Sequence, residues 1–135
     1  MVQELCLLLG SSTFHYGIDI AATPGANLIA VTSGKITYTD FNGANGYTIK
    51  LESFNLTFSY SHVNPNFIVS IGDYVYKGQI IGNVGPKYVQ NIPNNPYKDS
   101  TGKSTNGATT GAHLHFSIKK SNEYINPLDL LTNNI

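Results

Sequence analysis

Apolar positions along this chain fall in short runs with turn residues between them, and no 11-residue window carries the i, i+3, i+4 apolar spacing of a surface helix. The runs predict strands over 27–32, 35–39, 47–51, 56–62, 68–70, 79–84 and 113–118. Ser33-Gly34, Asn42-Gly43, Asn45-Gly46 and Lys77-Gly78 punctuate them, where Gly or Asn can take a positive φ. The fold class expected is all-β, a mainly antiparallel β-sheet single domain. The tail "NPLDLL" predicts one helical turn, with Asn126 as cap and Pro127 at its first position.

The sharpest alternation lies in "GAHLHF", residues 111–116. On a strand, His113 and His115 share one face about 6.6 Å apart, and Leu114 and Phe116 share the other. One face therefore seats the strand on a core, and the other presents two imidazoles.

Composition narrows the chemistry. The chain has 135 residues, enough for one domain with a real core, and its 8 lysines balance 8 acidic residues with no arginine. That charge balance gives nucleic acid little to bind. Cys6 is the only cysteine, which excludes an intrachain disulfide and a cysteine-rich zinc knuckle and leaves a small buried hydrophobe as the expectation. The run Leu5 to Leu9 is too short for a signal segment or a membrane span, so neither a signal peptide nor a transmembrane segment is expected in this chain.

Residues 86–110 break the texture, with three prolines, many Asn, Thr and Gly, and no periodicity. A loop of that length in a compact domain is functional or mobile, or else a tolerated insertion. Its position just before His113 suggests a wall of the binding groove, and its removal is expected to leave the fold intact.

The remaining histidines are His15, in "FHYGID", and His62, in "YSHVNP". On a straight strand His15 and Asp19 stand about 13 Å apart, too far to share a metal; a bend at Gly17 would fold one back toward the other. Hydrolytic zinc takes three ligands from His, Asp and Glu and keeps one position open. His15, Asp19 and one histidine of the pair 113/115 would supply such a set, with net charge about +1, and the spacing does not say which of the pair. Two histidines are then left for proton transfer and oxyanion stabilisation. Taken alone, each of these side chains reads more simply as a surface or turn residue; their combination is what points to a site.

With "HYGID" and "GAHLHF" together, the chain resembles the lysostaphin-type (LytM-like) zinc metallopeptidases, whose pattern is HxxxD early and HxH late. Between them "YSHV" and "GDYVYKGQIIGNVG", residues 72–85, match the family's middle elements in order. The resemblance covers about residues 14–130, with 1–13 as a separate N-terminal segment and 86–110 as a loop inserted within the domain. It implies zinc held by His15, Asp19 and His115, with His62 and His113 as the catalytic histidines. It also implies Gly78 and Gly82 at turns, with Val75, Ile80 and Ile81 in the core. The Tyr60 match reads as structural; Tyr16, Tyr60 and Tyr88 are also candidates for lining the groove, although a tyrosine in a β-protein is more often core or surface packing. The chain departs from the family pattern in lacking an upstream arginine motif, in carrying Ala112 where proline is usual, and in its longer loop.

The function implied is zinc-dependent hydrolysis of a peptide bond in bacterial peptidoglycan, in a stem or cross-bridge, at an extracytoplasmic location: the cell wall, a secreted protein or a phage tail. The alternative is a non-catalytic domain of the same fold, serving as a binding or regulatory module in the cell envelope, a secretion apparatus or a phage tail. A cupin-like metal protein is disfavoured, because no glutamate follows closely after His115.

Overall fold

The alternating segments assemble into two antiparallel sheets. A computed structural model of the protein describes residues 17–109 and 111–127. Its strands are β1 (Ile18–Ala21), β2 (Asn27–Ile29), β3 (Gly34–Phe41), β4 (Tyr47–Ser53), β5 (Leu56–Ser61), β6 (Tyr74–Val75), β7 (Ile80–Asn83), β8 (His113–Lys120) and β9 (Glu123–Ile125). A 3-10 turn, Gly43–Asn45, is the sole helical element flanked by these strands. The large sheet runs β1-β8-β5-β4-β3-β6, with β9 also on β8; β2 and β7 form a second, two-stranded sheet. The all-β expectation holds.

β8 organises the large sheet. One edge pairs with β5 along 115–120, while the other is shared in tandem by β1, opposite 113–116, and β9, opposite 118–120. Registers align apolar residues in rows across strands: Ile18, Phe116, Tyr60 and Ile49 are successive partners, as are Ile118, Phe58, Leu51 and Ile36. All eight are buried. Leu28 and Ile81 of the small sheet join the same core. Tyr60 ties the sheets together: its hydroxyl donates to Ile29 O and accepts from Val31 N–H, both at 3.0 Å. Burial pushes the Tyr60 phenol well above its ordinary range.

Several expectations are corrected. The 68–70 run forms no strand: Ile68 is exposed, and Ser70 N–H turns back to the Asp73 carboxylate at 2.9 Å. Isolated apolar residues without a pairing edge do not make a strand. The short β1, β6 and β9, two to four residues each, fell below the length at which alternation is visible. Gly82 lies within β7, not at a turn, and packs against Ile49: a Cβ there would come 2.8 Å from Ile49 Cδ1, so a larger residue would have to push that side-chain end aside. Ile80 is exposed, not core, because it points to the outer side of β7. Tyr60 packs in the core, in keeping with its structural reading, and does not line a groove. Val75 and Ile81 are buried, and Gly78 sits in a turn at φ +90°. Cys6, Tyr16 and the tail beyond Pro127 lie outside the described residues.

Tyr60→Phe removes the group that satisfies the buried Val31 N–H, so it is expected to cost about 1–3 kcal/mol. Urea denaturation measures this, and an unchanged midpoint would show that water or a backbone shift replaces the hydroxyl.

Candidate functional site

The registers that bury Ile18 and Phe116 turn their neighbours outward. Asp19 and His115 are direct cross-strand partners, Ala21 is opposite His113, and Ser61 is opposite His115 on the other side. Directly paired side chains project to the same face. Asp19 Oδ1 stands 2.8 Å from His115 Nδ1 and 3.5 Å from His113 Nε2. Asp19 is exposed and the two imidazoles are largely covered.

His62 arrives from the end of β5. The strand stops at Ser61, and His62 takes φ +62°, a left-handed conformation uncommon for a side chain of this size. That turn lays its ring 4.8 Å from the His113 ring and 6.5 Å from that of His115, centroid to centroid. Its Nδ1 lies 2.7 Å from the Asn106 carbonyl oxygen. A carbonyl can only accept, so Nδ1 carries the proton and Nε2 is left as the free ring nitrogen. His113 follows the same logic, with Nδ1 donating to Gly111 O at 3.0 Å, beside the Thr109 hydroxyl at 3.3 Å. Burial pushes the His62 imidazole down to about 4; the His113 and His115 rings lower it further, against the opposing Asn106 carbonyl and Asp19.

Gly17 explains where the His115 ring sits. A Cβ at Gly17 would lie 2.7 Å from both His115 Nε2 and Phe116 O, so the ring packs against bare backbone. Beside it, Ser61 Oγ is buried without a hydrogen-bond partner.

Four of the five residues singled out from sequence, Asp19, His62, His113 and His115, thus converge on one sheet face. His15 lies outside the described residues. Among the described residues no three His, Cys, Asp or Glu side chains form a group able to hold a metal ion. Asp19 and His115 nonetheless bring a carboxylate oxygen and an imidazole nitrogen together in a pair suited to zinc by donor chemistry. Tetrahedral ligands at about 2.0–2.1 Å stand roughly 3.3 Å apart, so the pair need open by only about half an ångström.

The segment before β8 is more ordered than its composition suggests. Bridges join Tyr88 to Thr105 and Lys98 to Ser104, and Val89, Asn95, Thr105 and Asn106 are buried. Hydrogen bonds from Thr101, Tyr88 and Lys103 hold the Asp99 carboxyl well below the usual carboxylate range. Tyr88 is occupied by that carboxylate and by Lys103, whose ammonium sits 4.1 Å from its ring centroid. Asn106 ties this segment to β4 at Tyr47 and to Val63, the residue after His62, so the segment is bonded into the body of the domain. Asn106 and Gly111 were missed from sequence because they act through carbonyl oxygens, and an Asn-Gly pair in a polar loop reads only as a turn.

The topology defines an all-β domain that gathers one aspartate and three histidines on a sheet face. The chain belongs to peptidase family M23, whose profile matches residues 13–127. Lysostaphin from Staphylococcus simulans is 31% identical over 105 residues, covering 76% of this chain and 17% of lysostaphin. A protein of Mycobacterium tuberculosis is 26% identical over 89% of this chain and 25% of its own length, so the chain spans about a quarter or less of these relatives. The catalytic domain of the antimicrobial peptidase lysostaphin superposes with a TM-score of 0.75 over 98% of both chains at 24% identity, which establishes the shared fold. The structure of LytU gives 0.65 at 30% identity over 86% of this chain and 71% of that one.

Gly17→Ala is expected to displace the His115 ring and to cost about 1–3 kcal/mol through overpacking. Imidazole NMR and urea denaturation check this, and an unmoved His115 resonance would refute the packing argument. In the metal-free protein the His62 ring is expected to titrate near pH 4. Because the unfolded chain would then bind the proton more tightly, this group's stabilisation is complete above pH 6.5 and declines as pH falls toward 4. An NMR midpoint near 6.5 would contradict the desolvation.

Proposed function

We propose that this chain is a zinc-dependent endopeptidase that hydrolyses peptide bonds of bacterial peptidoglycan, in a stem or cross-bridge. The observation that carries the reading is the convergence of Asp19, His115, His113 and His62 in a member of peptidase family M23. The similarity to lysostaphin supports the substrate class. Peptidoglycan lies outside the cytoplasmic membrane, so the site of action is extracytoplasmic. Among the described residues no helix is long and apolar enough to cross a membrane. We take the peptidase unit as residues 14–130, with 86–110 as an insertion that borders the groove.

In this reading Asp19, His115 and His15 hold the zinc. When bound, the metal acts as a Lewis acid, polarising the scissile carbonyl and acidifying water. The remaining chemistry belongs to the chain. Hydrolysis must move a proton from the attacking water to the leaving amine, and two imidazoles border the path. His62, with Nδ1 committed to Asn106 O and its cation disfavoured by burial, is neutral at ordinary pH and offers Nε2 as an acceptor. His113, with Nδ1 committed to Gly111 O, exchanges its proton at Nε2, which can donate to a developing oxyanion once it has been protonated. The Asp19 carboxylate lies 3.5 Å from His113 Nε2, close enough to favour that nitrogen in its protonated form.

Elemental analysis of the purified protein should find about one zinc per chain. His115→Ala and Asp19→Ala should lose both metal and cleavage of a peptidoglycan digest. His113→Ala should keep the metal and lose about 100-fold or more in kcat. A folded wild-type protein that takes up no zinc on reconstitution would favour the non-catalytic reading, and full activity in His113→Ala would remove that histidine from the mechanism.

A further inference from the structure

Asn106 is completely buried, and each of its hydrogen-bonding groups is used. Its side-chain oxygen accepts from Tyr47 N–H at 2.8 Å, and its amide nitrogen donates to Val63 O at 3.0 Å and Pro86 O at 3.3 Å. Its backbone N–H donates to Lys87 O at 2.8 Å. Its own carbonyl oxygen accepts from His62 Nδ1 at 2.7 Å. The surroundings are shaped to it: a Cβ at Gly46 would come within 2.4 Å of its two oxygens, and one at Gly85 within 2.7 Å of its amide nitrogen.

The amide is chemically specific here. The pocket presents one donor and two acceptors, which an amide matches on both ends. A carboxylate would set negative charge against the carbonyls of Val63 and Pro86. Three anchors on β4, on the residue after His62 and on the start of the 86–109 segment fix where the backbone of residue 106 lies. Only then does its carbonyl reach His62.

We propose that Asn106 is a positioning residue for His62. Its clamped side chain aims its carbonyl at Nδ1, which selects the Nδ1–H tautomer and leaves Nε2 for the cluster formed by Asp19, His113 and His115. The long segment before β8 is thereby part of the catalytic apparatus. The consequence for rate rests on the proposed hydrolytic function, whereas the tautomer does not.

The test is long-range 15N–1H correlation NMR of the histidine rings in the zinc-loaded full chain, together with kcat and KM on a peptidoglycan digest. Wild type should show His62 as the Nδ1–H tautomer. Asn106→Asp, which keeps the oxygen facing Tyr47 but loses both donated bonds, should shift His62 toward Nε2–H. It should lower kcat by about tenfold or more, with KM within about twofold and zinc content unchanged. Asn106→Ser, which shortens the clamp without adding charge, is the second variant should the first fail to fold. Two results would overturn the proposal: a wild-type His62 in the Nε2–H form, readable even if neither variant folds, or a variant that loses only thermal stability while tautomer and kcat stay as in wild type. Wild-type protein that cleaves nothing, with the tautomer present and lost in the variant, would discard the hydrolytic reading and retain the positioning.

Discussion

The register of β8 against its two neighbours is the constraint on which the rest depends. Side chains alternate faces along a strand, so a slip of one residue would place His113 and His115 in the core and Leu114 and Phe116 in solvent. Two sets of contacts forbid it. On the inner face Phe116 is buried between Ile18 and Tyr60, its ring 5.2 Å from that of Tyr60. On the outer face the same pairing brings Asp19 opposite His115. Packing energy is spent on the apolar side, and the polar side receives its geometry as a consequence. This is why a solvent-facing carboxylate can be held within 2.8 Å of an imidazole without a buried salt bridge to secure it.

Most of this was legible in the sequence where the physical signal is local. Alternation in "GAHLHF" gave the two faces of β8, and apolar runs between glycine-bearing turns located six of the nine strands. The three missed strands share one cause. β1, β6 and β9 exist because a partner edge is available, and no window of two to four residues carries that information. Gly82 was misjudged because glycine is read first as a turn former, when here it sits inside β7 packed against the tip of Ile49. Asp19, His62, His113 and His115 were identifiable by residue type. Asn106 was not, since the group that touches His62 is a backbone carbonyl common to every residue.

The segment at 86–109 shows how little composition says about order. It is rich in Asn, Thr, Gly and Pro, as a loose loop would be. Yet Asp99 collects hydrogen bonds from Tyr88, Thr101 and Lys103, and Asn95 donates to Thr105 O at 3.0 Å. Polar side chains here replace the missing apolar core by satisfying backbone groups that would otherwise be stranded. With 12% charged residues in the chain, such amide and hydroxyl networks take over work that ion pairs do elsewhere.

His62 carries three costs at once: a left-handed backbone at φ +62°, burial that disfavours its charged form, and two neighbouring imidazoles. Strain of this kind persists only where surrounding structure over-determines it. Here the determinants can be named: His62 N–H bonds Asn45 O at 2.9 Å, its carbonyl accepts from Gly85 N–H at 3.0 Å, and its ring is held by Asn106. Each draws on a different part of the chain, so relaxing the residue would mean breaking the β3–β4 turn, the end of β7 and the long segment together. The fold instead maintains an unprotonated Nε2 beside a carboxylate and two further imidazoles, the arrangement on which the proposed proton transfer draws.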